Sequence, residues 1–556
     1  MHPGKWSISV AFIRQNKLLV AGSVIAVIAS NFLSVLLPLS IGKFYEIVFH
    51  DHGTKSRLMR VLSLDFGNAT TFFIFFGILV VVKALITYLS NYWIGLVGER
   101  FSRNIRELAF SHQMHHSMES HRSKPVGNYL LRYSGDLLAI QKFISKGILM
   151  FAGDLFFMVC FTTLLWMLQP NLAVTVTGLF ILAVVVFVLL SRVVRMRAMD
   201  RRNYRSSTLA FVSARLHSFN TIKSFNRERP ETNFFRRRSR KLYRLGVRFL
   251  RLSSLVQSVL SLYFFITISI VMFEILRWEN DLPKHDIFAF VLLLLYMQTV
   301  MKRVLRINVT WQVGVVSFNK LIALLRLPID KRDGIVPKKS AGEIEVRNLQ
   351  FSYSDGQSLI SNVSFVLHPG TITLIKGPTG SGKSALLKLI QRIYHPQSGE
   401  ILLDGKSYDE LSPFAVRKNV TIVSQETPLL GRRVLDAITY NSSATNKRRA
   451  ETELKNLGLS GDNSQLRLDT KIEGGGKNLS AGENLLLQFA RALVTRKKII
   501  LMDEPFVNLD RDSLNNVINR LVAIKSKRTT VIVCENPPAQ LPFDQIIVLE
   551  NKIIQS

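Results

Sequence analysis

The sequence predicts a two-part fold: an α-helical membrane domain of six transmembrane helices, then an α/β domain built around a phosphate-binding loop. Long apolar runs fill the first 330 residues, and short β-rich runs alternate with amphipathic stretches from Glu343 onward. Between an apolar run (TITLIK, Thr371 to Lys376) and a helical one (ALLKLIQRIY) stands GPTGSGKS, Gly377 to Ser384. At 556 residues the chain exceeds the usual size of one domain.

Composition narrows the class further. The chain is 48% apolar yet carries a formal net charge of +33. A nucleic-acid binder has a basic face but needs no long apolar runs, so the charge reads as basic flanks of membrane spans. Only two cysteines exist, Cys160 and Cys534, too few for a disulfide framework. The first apolar run follows Lys5, Arg14 and Lys17 without a small-residue cleavage site, which predicts a retained span.

Six stretches reach the roughly 20 residues that cross a bilayer as a helix. They lie near 18–42, 70–94, 146–168, 171–194, 254–277 and 285–305. Spans three and four are joined by Gln169, Pro170 and Asn171, and spans five and six by WENDLPKH. The other two internal connections beyond span two are long and rich in Arg and Lys, which predicts a cytoplasmic position for both, and for both termini. Their helical stretches (RNIRELAFSHQM and RERPETNFFRRRSRKLYRLGVRF) extend the spans inward. Arg236, Arg237, Arg238, Arg240 and Lys241 read as a solvated positive-inside face, with a lipid-headgroup or substrate site as the rival reading. His112, His115, His116 and His121 cluster without the cysteine or nearby carboxylate pair of a closed metal site.

Lys83 and Asp154 fall inside apolar spans, where charge costs about 2.5–3.5 kcal/mol on insertion scales. Three readings stand: a Lys83–Asp154 pair, two polar points on a substrate path, or snorkelling to an interface. Beyond span six a continued helix ends near Pro328. The expected organisation is a membrane domain over 1–330, a linker over 331–342 and an α/β domain over 343–556.

The stretch Gly377 to Ser384 fits G-x-x-x-x-G-K-[ST] in full and sits where a strand turns into a helix. The loop Gly377, Pro378, Thr379, Gly380, Ser381 and Gly382 is expected to ring a phosphate, with the backbone amides of all but the proline as donors, helped by the helix N-terminus. Lys383 is expected at the β- and γ-phosphates and the Ser384 hydroxyl on Mg²⁺. Tyr353 is placed to stack on a purine or to serve as core. Gln425 stands just after an apolar strand, where its side chain is placed to touch Mg²⁺ or the attacking water, or to serve as an ordinary strand-end glutamine. In KIILMDEP, Asp503 is expected to hold Mg²⁺ and Glu504 to polarise that water. NLSAGENLLLQFARALV opens an amphipathic helix that a serine can cap.

Taken in this order, these motifs resemble those of the ATP-binding cassette (ABC) exporters, as a half-transporter with six spans fused to one cassette. The resemblance covers nearly the whole chain. Tyr353 resembles the adenine-stacking aromatic, Gly377–Ser384 the Walker A loop, Gln425 the Q-loop and Leu479–Glu483 (LSAGE) the LSGGQ signature. Ile499–Asp503 resembles Walker B, Glu504 the catalytic base, and Asn508, Leu509 and Asp510 the D-loop. SFNTIKSFNRERPE and KPVGNYLLRYSGDLLAI resemble the loops that carry coupling helices. The resemblance implies two ATP molecules with Mg²⁺ between paired cassettes, and contacts of the signature (Ser480, Ala481, Gly482, Glu483) with the partner's ATP. It also implies ATP-driven export across the cytoplasmic (inner) membrane, as a homodimer or heterodimer of half-transporters in the bilayer. Three departures stand out: Ala481 and Glu483 replace a glycine and a glutamine of the signature, Gly474 replaces a glutamate, and Glu535 or Asn536 stands at the switch histidine. The last predicts slow turnover or a better-equipped partner, with a low-turnover regulatory subunit as the alternative function.

Overall fold

The computed structural model describes residues 5–49, 69–122, 129–130, 132–168, 170–277, 284–330, 333–353, 358–440, 444–460, 466–550 and 553–555. Gln169, most of the connection WENDLPKH, residues 124–128 and linker residues 331–332 lie outside them. Two units separate: Met1–Met114 with Ser123–Leu327, and His115–Arg122 with Pro328–Ser556.

Among the described residues, the first unit is built of helices. Its helices are α1 (Lys5–Gln15), α2 (Lys17–Phe49), α3 (Ala69–Gln113), α5 (Leu137–Lys142), α6 (Phe151–Leu168), α7 (Pro170–His217), α8 (Phe219–Ser224), α9 (Glu228–Arg277) and α10 (Lys284–Leu325). Wide π-helical turns at Arg132–Asp136 and Phe143–Met150 flank α5. Among the described residues, five helical stretches are long and apolar enough to cross a membrane. The sixth expected span lies within α10. α3, α7 and α9 run on into the basic connections, which are rich in good helix formers; the one proline there, Pro230, sits in the first turn of α9, where it displaces no helical hydrogen bond.

Burial decides what these helices face. Phe161, Leu165, Ala173, Val271, Leu293 and Val300 form an interior cluster. Val81, Leu85, Ile181, Val185, Leu262 and Phe265 point outward. Such a continuous apolar exterior suits lipid and not water.

The second unit carries two sheets. Strands β1 (Ile344–Ser352), β2 (Ser358–Leu367), β4 (Ser398–Leu403) and β5 (Lys406–Ser407) form an antiparallel sheet in the order β2-β1-β4-β5. The other sheet has the order β10-β9-β3-β8-β7-β6. Its strands are β3 (Ile372–Lys376), β6 (Val420–Ser424), β7 (Ile499–Asp503), β8 (Thr529–Val533), β9 (Gln545–Glu550) and β10 (Ile553–Gln555). All its pairings are parallel except β9 with β10. Helices α11 (Lys383–Ile390), α12 (Pro413–Asn419), α13 (Val434–Thr439), α14 (Ala444–Asn456), α15 (Ala481–Val494) and α16 (Arg511–Ile524) complete the unit. Strands covered on both faces must be apolar on both, and β7 reads IILM with all four residues buried.

The short helix α4 (Met118–Arg122) departs from the sequence order. Sequence reading puts it in the connection between spans two and three. In the structure Ser117 donates to the Pro328 carbonyl (3.0 Å) and Asp330 to that of His115 (2.9 Å), which ties this segment to the second unit.

Candidate nucleotide site

Strand register gathers the site. Ile375 of β3 pairs with Val533 of β8, Val533 with Asp503 of β7, and Asp503 with Ser424 of β6. The residues that follow these strands therefore emerge side by side at one edge of the sheet: the phosphate loop, Glu535, Glu504 and Gln425. Ligands of parallel α/β sheets bind at this carboxyl edge.

The loop from β3 to α11 is fixed by its own backbone. Gly382 has φ +98°, and a Cβ there would lie 2.7 Å from the Leu359 carbonyl oxygen, so no other residue fits this turn. Lys383, almost fully buried, donates to the carbonyls of Gly377 (2.6 Å) and Pro378 (2.9 Å). This folds the ammonium back over its own loop.

At the loop's exit the Ser384 hydroxyl donates to Asp503 Oδ1 at 3.1 Å. The two expected Mg²⁺ ligands, 119 residues apart in sequence, are thus already in contact. Burial pushes the Asp503 carboxyl above its ordinary value, with the Ser384 hydrogen bond acting against that rise. Its carboxylate would gain from a cation. Next in the chain, Glu504 has φ +46°, a left-handed conformation unusual for a non-glycine residue. Its amide donates to the Val533 carbonyl (2.9 Å) and its Oε1 accepts from the Glu535 amide (3.2 Å). The two bonds hold the carboxylate over the strand ends. Burial, with Glu504 close by, pushes the Cys534 thiol up to about 11.

Gln425 is exposed beside this edge. Sequence reading missed what fixes it there. Buried Gln488 of α15 accepts from the Ser424 amide (3.1 Å) and the Thr427 hydroxyl (2.9 Å), bracketing Gln425. Tyr353 packs edge-on against Phe351 (5.1 Å) and Tyr394 (5.3 Å), as part of an aromatic cluster next to the loop's supporting core.

The serine-capped start of α15 forms as expected. Ser480 Oγ accepts from the Glu483 amide (3.2 Å), and Glu483 Oε2 accepts from the Ser480 amide (2.8 Å). This reciprocal capping box explains the glutamate physically: it satisfies an orphan amide and suits the positive helix end. The Ser480 hydroxyl keeps its own proton for donation. Ala481 occupies the first helical position, so its methyl group costs no backbone freedom there. Gly482 lies against the loop before α16, where a Cβ would sit 2.8 Å from the Asn508 oxygen. Asp510 is the N-cap residue of α16.

The membrane residues are arranged differently from the expected pair. Asp154 is paired with Arg303 of α10, which donates from Nη2 to Oδ1 (2.8 Å) and from Nε to Oδ2 (3.1 Å). Lys83 instead lies 5.4 Å from the ring centroid of Tyr296. The fork of a guanidinium answers both carboxylate oxygens at once, which a single ammonium does not. Arg303 stands near the end of the sixth apolar stretch, so its composition gave no sign of a deep partner. Asp136, also buried, is held by Arg132 (2.6 Å), Arg202 (2.8 Å) and Ser317 (2.8 Å).

The comparisons with known proteins fit this geometry. Residues 20–301 match the ABC transporter transmembrane region, and residues 360–507 match the ABC transporter domain. The chain belongs to the ABC transporter family. It is 27% identical over 94% of its length, and 73% of the relative's, to the alpha-hemolysin translocation ATP-binding protein HlyB of Escherichia coli O157:H7. It is 23% identical to the ATP-dependent lipid A-core flippase of Syntrophus aciditrophicus, over 85% of this chain and 80% of that one. Its fold matches the structure of a bacterial Atm1-family ABC exporter with ATP bound, with a TM-score of 0.83 and 21% identity, covering 98% of this chain and 95% of that one. This ABC transporter is a multi-pass membrane protein whose cassette binds and hydrolyses ATP to drive transport. The regulatory-subunit alternative draws no support from these relatives.

Proposed function

We propose that this chain is one half of a dimeric exporter of the cytoplasmic membrane, with both termini and the cassette on the cytoplasmic side. The membrane domain spans 1–330, the linker 331–342 and the cassette 343–556. The observation that carries the reading is the Ser384–Asp503 contact at 3.1 Å beneath a complete phosphate loop, in a chain whose other unit is built of membrane-length helices.

The loop from Gly377 to Gly382, through its backbone amides other than that of Pro378, binds the phosphates together with Lys383, and Tyr353 offers a ring to the adenine. Mg²⁺ fits the hydroxyl and carboxylate of Ser384 and Asp503, with Gln425 beside them, and neutralises charge on the phosphates. Glu504, held by Val533 and Glu535, takes the proton of the attacking water. Ser480 and Gly482, with Ala481 and Glu483 framing the turn, meet the ATP of a partner half-transporter, and Asp510 lies at the junction. Closure of the cassettes on ATP reaches the spans through the continuous helices, and hydrolysis resets them. Relatives named for a protein toxin and for lipid A share this architecture, so the architecture does not select the cargo.

ATP hydrolysis by the purified chain in lipid, beside Glu504→Gln, tests the reading. The wild type is expected to exceed the variant by roughly 10²–10⁴-fold, with ATP binding kept in both. Equal rates in the two proteins would refute the assignment.

A further inference from the structure

At one of the two residues, Glu535 and Asn536, that stand for the family's switch histidine, the structure shows an anion reaching into the phosphate loop. Glu535 Oε1 accepts a hydrogen bond from the Thr379 hydroxyl and lies 4.0 Å from Lys383 Nζ. These are groups that otherwise serve a phosphate. Lys383 has three N–H donors, and two are taken by the Gly377 and Pro378 carbonyls. The Glu535 carboxylate lies within ion-pair distance of this ammonium.

We propose that Glu535 is an internal competitor of the terminal phosphate of ATP. A carboxylate oxygen and a phosphate oxygen need the same cation and the same hydroxyl, and both cannot hold them. The competitor is anchored but movable. Its amide is bonded to Glu504 and its chain neighbour Cys534 is buried, while its side chain is about half exposed, so a rotation of χ angles releases it. With Asp503 and Glu504 it makes three carboxylates along one sheet edge, which raises the electrostatic cost of bringing in a further anion. The competition concerns the end of the loop that Lys383 serves, where the β- and γ-phosphates lie. ATP brings two phosphates to this end and ADP one, so the competition weighs on a triphosphate more than on a diphosphate and sets how strongly the cassette discriminates ATP from ADP.

This inference rests on the nucleotide reading of the loop, and the test separates the two. The full chain in lipid nanodiscs is titrated with labelled ATP and ADP in Mg²⁺, as wild type, Glu535→Gln and Glu535→Ala. Both variants are expected to bind ATP more tightly, by roughly five- to tenfold, with ADP affinity changed less than about twofold. Wild type that binds ATP as tightly as both variants overturns the competitor while leaving the nucleotide site intact, as does an equal gain for ATP and ADP. Failure of all three proteins to bind ATP overturns the nucleotide reading itself.

Discussion

Asp154 is a buried carboxylate among membrane helices, and Asp503 a half-buried one at the edge of a parallel sheet. Asp154 has both oxygens answered by one guanidinium, and its charge is closed within the protein. Asp503 receives the serine hydroxyl, while Lys388 and Lys383 act on it through space. The difference separates a carboxylate whose charge is closed within the protein from the one proposed above to hold a cation. A buried charge with a complete partner is structural; one answered mainly by a neutral group is a binding site in waiting.

The sharpest way to break this contrast is to open the closed pair. Asp154→Leu strands Arg303 among membrane helices and is expected to cost about 2–3 kcal/mol, the figure tempered because the Arg303 side chain is 37% exposed. Thermal unfolding in detergent reads this directly. Adding Arg303→Leu should restore most of the loss, since an apolar replacement of both partners leaves no uncompensated charge.

The opposite sign is expected at Asp503. Its folded-state pKa is raised, so as pH climbs from the ordinary carboxylate range through that raised value the unfolded state loses its proton first. Stability therefore falls across that window and stays lower above it. Asp503→Asn should remove this loss, lifting the melting temperature at neutral pH in chelator by ~1–3 °C, while hydrolysis is lost. A lower melting temperature would show that the carboxylate is structural after all.

The smallest effect belongs to Lys83. A half-buried cation over the Tyr296 ring at 5.4 Å is worth about 0.5–1 kcal/mol. Lys83→Leu should shift stability by no more than that. Transport of every tested substrate unchanged in this variant would remove Lys83 from any substrate path.

The phosphate loop, the Walker B strand and the signature turn were all legible because each is a local sentence of sequence. Glycine spacing sets the loop, an apolar tetrad sets the buried strand, and Ser480 with Glu483 three residues on sets the helix cap. Membrane helices were legible for the same reason, as runs of apolar residues of sufficient length. Gln488 was not, because nothing in NLLLQFARAL distinguishes a glutamine that clamps a strand end from one that faces water. Nor was α4, whose attachment to the second unit depends on backbone bonds to Pro328 and Asp330.

What the sequence determined by itself is thus the order of the elements and the chemistry placed at their ends. Tertiary structure alone decided the partners. Asp154 finds Arg303 across 149 residues and Thr379 finds Glu535 across 156. Hydrophobic periodicity tells which elements form, but the rotation of one helix against another, or the register of parallel strands, decides which side chains meet. Lys83 was the nearer charge in the chain, and packing gave Asp154 the arginine.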